Sequence, residues 1–95
     1  MPAYVIAAIR VKDPEAYEQY KQMVPATIER FGGRYLARGG RSEIVEGDLE
    51  LGRVVVLEFP TYEHAQRWYS SDGYAAAKRI REGCADGALV FVDGA

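Results

Sequence analysis

Hydrophobic residues recur along the chain with two different periods, and these periods predict a mixture of strands and helices. Residues 3–11, AYVIAAIRV, and residues 53–59, RVVVLEF, are rich in β-branched side chains and apolar at alternate positions, as strands are. In both segments the second face is also largely apolar, so neither face is typical of one exposed to water. Two shorter strands are predicted at 34–38, RYLAR, and at 88–92, ALVFV.

The segment between the first two strands has the three- and four-residue spacing of apolar side chains that is typical of an amphipathic helix. Asp13 can cap this helix, and Pro14 suits its first turn. The glycine pair at 32–33 can supply the left-handed residue that ends it. Pro25 lies inside the apolar stripe, and because proline lacks an N–H it predicts a kink or break near residues 22–24.

Two further helices are predicted after the strand at 53–59. One begins after Thr61 and the other begins at Ser71 or Asp72, since these side chains can cap a helix. The residues expected to face inward are Ala65, Trp68 and Tyr69 in the first helix and Tyr74, Ala77 and Ile80 in the second.

The resulting order of elements is βαββαβ, which predicts one α+β domain over residues 1–95. This is the ferredoxin-like two-layer sandwich, in which helices cover one face of an antiparallel sheet. The other face would carry Tyr4, Ile6, Val54, Val56 and Val90. Monomers rarely expose that much contiguous apolar surface. We therefore expect a homodimer that packs one open sheet face against the other.

The amino-acid composition limits which binding partners and which cellular compartment are expected. A net charge of −2 argues against binding to nucleic acid or to an anionic membrane, because both require a basic excess. The apolar run at the N-terminus stops at Arg10, too early for a membrane span or a signal peptide. Cys84 is the single cysteine, so no internal disulfide can form and the cytoplasm is expected. With one histidine as well, the usual ligands of a zinc site are missing, and we expect neither metal nor cofactor.

Several stretches, in the same order along the chain, closely resemble the family known as domain of unknown function 1330. They are DPEAY, VPATIERFGGRYLARGG, EGD, RVVVLEFP and SDGYAAAKRIRE. The resemblance implies a dimeric α/β barrel of the ferredoxin-like type. The chain departs from the family at Asp72-Gly73, where a proline and an acidic residue are expected, and this affects only the local helix cap. The family has no established catalytic residues, so no role is transferred from it.

Arginines stand at the ends of three predicted strands. With the strands ordered 4-1-3-2, Arg10 and Arg38 end the first and second strands at the end of the sheet where Arg53 begins the third. Three guanidinium groups at one end could hold a carboxylate with paired hydrogen bonds. Alternatively, surface acids such as Glu43 and Glu46 pair with them in solvent.

Glu58 interrupts an otherwise apolar strand, where an unpaired carboxylate would be costly. One interpretation makes Glu58 a general base in a pocket, near Tyr4 and within reach of Arg34. The alternative is a buried pair with a tyrosine or arginine that stabilises the dimer. Tyr69, together with Tyr20 on the first helix, either lines a cavity above the sheet or packs in the core.

Two functions are compatible with these features. The first is binding or transformation of a small anionic or aromatic metabolite between sheet and helices, with Glu58 as the catalytic residue and Arg38, Arg10, Tyr4 and Tyr69 as ligand-binding residues. The second is a dimeric ligand-binding or structural module without catalysis. The glycine-rich stretch FGGRYLARGG lacks the spacing of a phosphate-binding loop.

Overall fold

The computed structural model describes residues 1–95 and contains four strands and three helices. In chain order they are β1 (Ala3–Val11), α1 (Pro14–Arg30), β2 (Arg34–Arg38), β3 (Arg53–Phe59), α2 (Tyr62–Tyr69), α3 (Asp72–Cys84) and β4 (Ala85–Asp93). The predicted βαββαβ order is confirmed, with the second helical segment divided into α2 and α3.

The four strands form one antiparallel sheet in the order β2-β3-β1-β4, as the sequence predicted. Val5 of β1 lies between Leu57 of β3 and Phe91 of β4. Directly opposed residues of an antiparallel pair share a face of the sheet. This register therefore places one apolar residue from each of the three strands on the face that the helices cover.

The hydrophobic core lies between that face and the three helices. Its largest fully buried side chains are Trp68, Tyr74, Phe59, Ile28 and Val5. Burying a side chain of this size contributes about 1.5–3 kcal/mol to stability. The rings of Trp68 and Tyr74 lie 4.3 Å apart, and the Trp68 indole nitrogen donates a hydrogen bond to Thr27 at 3.0 Å. Helices α1, α2 and α3 are thus held together above the sheet.

A kink or a break was predicted near residues 22–24; helix α1 runs without interruption through Pro25, so the break is wrong. A proline at this position leaves the carbonyl of Lys21, four residues earlier, without its helical N–H donor. Arg38 replaces that donor, since its guanidinium gives a hydrogen bond of 2.8 Å to the Lys21 carbonyl. The helix therefore continues because a side chain from β2 satisfies the group that proline leaves unpaired.

Three local predictions differ from the structure. The stretch RSEIVEGD, residues 41–48, is predicted from its sequence as an irregular strand or hairpin arm but forms no strand, and β4 begins at Ala85 and not at residue 88. In α3 the residue on the buried face is Arg81, which is 8 % exposed, and Ile80 is only half-buried. Ile80 and Arg81 lie three and four residues after Ala77, so helical spacing allows either to share its buried face. The packing of α3 against the tyrosines of the core places Arg81 there.

The second face of the sheet is open and largely apolar. Val54 and Val56 of β3 are half-buried there, and four further apolar side chains are 40–53 % exposed: Ile6, Leu36, Val90 and Val92. The predicted composition of this face is confirmed. None of the three helices combines the length and the hydropathy needed to cross a membrane.

Candidate functional site

An apolar cavity lies between α1 and the helix-covered face of the sheet. The space open to the centres of water-sized molecules is about 40 Å³. A single water needs about 10–15 Å³ on this measure, so the cavity has room for several waters or a short apolar group. Six aliphatic residues of the wall are Val5, Ala7, Val24, Val55, Leu57 and Leu89. Three tyrosines, Tyr17, Tyr20 and Tyr35, also line the cavity.

Arg53 lies at the mouth of this cavity. It faces Ile9 across the β1–β3 pair and therefore points to the helix-covered side of the sheet. Its guanidinium stands 5.8 Å from the centre of the Tyr17 ring, and its Nε–H is buried without a hydrogen-bond partner. No carboxylate is paired with it. A half-buried cation without a carboxylate partner at the entrance of an apolar cavity is an incomplete site, because an anion there would compensate its charge and satisfy the buried Nε–H.

Gly39 makes room for the guanidinium of Arg53. Its φ of +68° is a backbone conformation that side-chain-bearing residues rarely adopt. A Cβ added at this position would overlap Nη1 and Cζ of Arg53. The second glycine pair of FGGRYLARGG therefore contributes to the site through Gly39, since it lets an arginine lie against the backbone.

Arg38 reaches the same mouth because β2 contains a bulge. The pairing of β2 with β3 shifts by one residue between Tyr35 and Ala37, so Arg38 lies opposite Val55. Strict alternation would have placed Arg38 on the open face with Arg34. Its guanidinium lies 4.5 Å from the centre of the Tyr35 ring and, like Arg53, has no carboxylate partner.

The mouth opens into a polar hollow of about 520 Å³ on the surface beside α1. Its charged lining residues are Lys21, Arg38, Arg53 and Glu18. Glu18 is bonded to Lys21 at 3.3 Å and faces solvent. Three cations and one carboxylate leave the hollow positively charged, which favours an anion at this entrance.

The tyrosines of the cavity are held in their neutral forms. Burial raises the pKa of Tyr17, although the nearby Arg53 opposes the shift. Burial also raises the pKa of Tyr35 and, much more strongly, that of Tyr20. The hydroxyl of Tyr20 lies 2.9 Å from that of Tyr74, which is fully buried. The cavity wall thus presents neutral hydroxyl groups, which can donate hydrogen bonds but carry no charge.

Arg10 does not join the other two arginines. It lies on the open face of the sheet, because residues 4, 6, 8 and 10 of β1 alternate with the buried ones. Its Nε donates to Asp86 of β4 at 3.0 Å, and Lys12 contacts the same carboxylate at 3.2 Å. These hydrogen bonds lower the pKa of Asp86. The predicted cluster of three arginines is therefore reduced to Arg38 and Arg53, and the carboxylate that pairs with Arg10 is neither Glu43 nor Glu46.

Glu58 and Tyr4 also lie on the open face, where the two residues are direct partners in the β1–β3 pair. The Glu58 carboxylate accepts a hydrogen bond from Arg34 Nε at 2.7 Å. This is the arginine that the sequence placed within reach. The sheet separates both Glu58 and Tyr4 from the cavity beneath α1. A general base at Glu58 stays a prediction, and it would need a substrate on the open face.

Tyr69 lies at a different opening, between α3 and β4, with Arg81, Leu89 and Phe91. Its ring packs edge-on against Phe91, with the ring centres 5.8 Å apart. Among the predicted ligand-binding residues, only Arg38 lines the cavity beneath α1. The helical spacing of Tyr17 and Tyr20 was visible in the sequence, but the apolar stripe of a core helix has the same spacing. Nothing in the sequence indicated that Gly39 contributes to the site, because Arg53, whose guanidinium lies against it, is distant in the chain.

Comparison with known proteins agrees with this architecture. The model of the domain of unknown function DUF1330 matches residues 2–95. The chain belongs to the DUF1330 family. The resemblance noted in the sequence is thus confirmed over nearly the whole length. No curated protein matches the chain.

Solved structures share the fold at low sequence identity. A protein of unknown function from Rhodopseudomonas palustris, RPA0582, is 20 % identical with a TM-score of 0.80, over 99 % of this chain and 82 % of its own. SnoaB, a cofactor-independent oxygenase from Streptomyces nogalater, is 10 % identical with a TM-score of 0.69, over 99 % and 93 %. An antibiotic biosynthesis monooxygenase is 15 % identical with a TM-score of 0.56, over 100 % and 99 %. At these identities the likeness establishes the ferredoxin-like α+β fold and no activity.

Proposed function

We propose that this DUF1330 protein binds a small organic carboxylate, with the carboxylate at Arg38 and Arg53 and the apolar part of the molecule in the cavity beneath α1. The observation that carries the proposal is the pair of guanidinium groups without carboxylate partners at the mouth of an apolar cavity. Arginine suits this task because its planar fork can give two parallel hydrogen bonds to one carboxylate.

The size of the cavity limits the ligand. Its space of about 40 Å³ suits a short chain or a small ring and is far below the usual 300–1,000 Å³ of a drug-sized site. The open hollow of about 520 Å³ next to it can take the charged head and its hydration. A small monocarboxylate with one apolar end fits both parts, whereas a second charge in the apolar part would be costly.

Calorimetric titration with a short fatty acid such as hexanoate tests the proposal, with hexanamide as the uncharged control. We expect binding of the acid and at least tenfold weaker binding of the amide, because a hydrogen bond to a charged group contributes about 1.5–3 kcal/mol. Arg38→Met and Arg53→Met should each weaken binding of the acid, and Arg34→Met on the other face of the sheet should not. Equal binding of acid and amide, or full binding by Arg53→Met, would refute it.

We further propose that the open sheet face is covered by a second copy of this chain, related by a two-fold axis. Four supporting residues, Ile6, Leu36, Val90 and Val92, are apolar and 40–53 % exposed. The charges beside them are already paired within the chain, as Arg10–Asp86 and Arg34–Glu58, so a like face can approach without unpaired charge. In this arrangement Glu58 contributes by fixing Arg34 at the interface, the alternative to a catalytic role.

Light scattering at micromolar concentration tests the dimer. Val90→Asp should give a monomer, since a charge would enter the apolar contact, and Val45→Asp in the exposed segment after β2 is the matched control. A wild-type mass of one chain would refute the dimer without affecting the ligand proposal.

We propose a reducing compartment such as the cytoplasm, because the only cysteine, Cys84, is buried and unpaired.

A further inference from the structure

Four polar groups form a row through the core, from the opening between α3 and β4 to the cavity beneath α1. Arg81 lies at one end, with its guanidinium against Tyr74. The hydroxyl of Tyr74 lies 2.9 Å from that of Tyr20, and Tyr20 forms part of the cavity wall. The ring of Tyr17 stands 5.2 Å from that of Tyr20 on the side of the mouth.

The direction of the hydrogen bond between the two hydroxyls follows from the available acceptors. Tyr74 is fully buried, and the only hydroxyl or carbonyl within hydrogen-bond distance of its own hydroxyl is that of Tyr20. Arg81 offers only N–H groups, so it cannot accept the proton of Tyr74. A buried O–H without an acceptor costs about 1–3 kcal/mol. The lack of another acceptor near the Tyr74 hydroxyl therefore favours Tyr74 as the donor and Tyr20 as the acceptor.

This arrangement leaves the proton of Tyr20 without a partner inside the core. Each phenol has one proton and two lone pairs, so Tyr20 can accept from Tyr74 and donate to a third group. The cavity is the space that Tyr20 borders, and its other wall residues there are mostly aliphatic. The cation at Arg81 polarises Tyr74 and, through it, Tyr20, which makes the free O–H a better donor.

We propose that Tyr20 selects ligands with a neutral hydrogen-bond acceptor, such as a ketone oxygen, on the part of the molecule that enters the cavity. The ligand class is then the oxo-carboxylates, with the carboxylate at Arg38 and Arg53 and the ketone at Tyr20. This inference rests on the proposed function and adds a specificity residue to it. Burial keeps Tyr20 protonated by raising its pKa, so the O–H is present throughout the ordinary pH range.

The test compares acids of equal shape that differ in one acceptor. Levulinate carries a ketone oxygen where isocaproate carries a branching methyl group. A second pair, longer by one methylene group, tests a larger distance between the carboxylate and this position. For at least one pair we expect wild-type protein to bind the keto acid about tenfold more tightly, the upper part of the range for one neutral hydrogen bond. Tyr20→Phe should reduce that ratio to about one and leave the affinity for the branched acid within about twofold.

Tyr62→Phe serves as the matched control, because Tyr62 packs against Phe91 away from the cavity. It should leave the ratio unchanged. Equal wild-type affinities within both pairs, with binding still dependent on Arg53, would overturn the role of Tyr20 and leave the carboxylate site in place. If neither acid of either pair binds, the proposed function fails and this inference fails with it. The wild-type comparison decides the matter even if Tyr20→Phe folds poorly.

Discussion

Arg53→Met separates the role of Arg53 in binding from any role in folding. The substitution keeps an unbranched side chain of similar length but removes the charge and the buried Nε–H. Relief of one unpaired buried donor is worth about 1–3 kcal/mol. The loss of the interaction with the Tyr17 ring at 5.8 Å costs about 0.5–1 kcal/mol. We therefore expect the variant to be as stable as wild type or up to about 2 kcal/mol more stable.

Thermal unfolding of the ligand-free protein measures this difference. In a domain of this size 1 kcal/mol corresponds to about 4–8 °C in Tm, so the variant should unfold at the wild-type temperature or above it. Binding of hexanoate should fall by at least about tenfold in the same variant. A residue that lowers stability while it binds a ligand is typical of functional sites.

Arg34→Met is the matched control on the open face. Arg34 is 70 % exposed in the single chain and pairs with Glu58 on the face of the sheet opposite the cavity, so its loss should leave hexanoate binding intact. A Tm of Arg53→Met below that of wild type would contradict the reasoning. Arg53 would then be part of the structural core and not an unfilled anion site.

Three further predictions concern the backbone and the phenols of the site. Gly39→Ala should lower the stability by about 1–2 kcal/mol and weaken hexanoate binding, because the new Cβ displaces Arg53. Gly40→Ala is the control: its Cβ meets no atom within 4 Å, so it should change neither stability nor binding. Equal effects of the two substitutions would contradict this. Pro25→Ala should raise Tm, because alanine is favoured over proline in a helix interior by up to about 3 kcal/mol and its N–H can bond the Lys21 carbonyl in place of Arg38; a lowered Tm would contradict this. The buried phenols have a raised pKa in the folded protein, so their contribution to stability is complete below about pH 10 and is lost as the pH rises through the folded values. Tyrosinate absorbance of the native protein should then lag behind that of the urea-unfolded chain; coincident curves would contradict the burial of Tyr17, Tyr20 and Tyr35.

The periods of the hydrophobic pattern predicted the four strands, the helices and their order, and the βαββαβ topology then implied the strand order of the sheet. This succeeded because β1 and β3 are largely apolar on both faces and the helix caps are local signals. Asp13, Thr61 and Ser71 each accept a hydrogen bond from a backbone N–H of the first turn. The composition of the open face followed from the same alternation. The family resemblance was also carried by short stretches in sequence order.

The sequence could not decide which side chains meet across the core. Pro25 predicts a break when α1 is considered alone, and the helix continues because Arg38 from another element satisfies the Lys21 carbonyl. Arg81 and Ile80 both fit the helical spacing of α3, and only packing against the tyrosines places Arg81 inside. Both outcomes depend on contacts between residues distant in the chain.

The position of Arg38 in the candidate site likewise depends on a contact between distant residues, the pairing of β2 with β3. Arg34 and Arg38 are four residues apart, and regular alternation assigns both to the open face of the sheet. The bulge in β2 between Tyr35 and Ala37 shifts the pairing by one residue, and a shift by one residue moves a side chain to the opposite face. The sequence by itself thus determined that arginines stand at the strand ends. Only the pairing of β2 with β3 decided that Arg34 meets Glu58 on the open face, while Arg38 joins Arg53 at the mouth of the cavity.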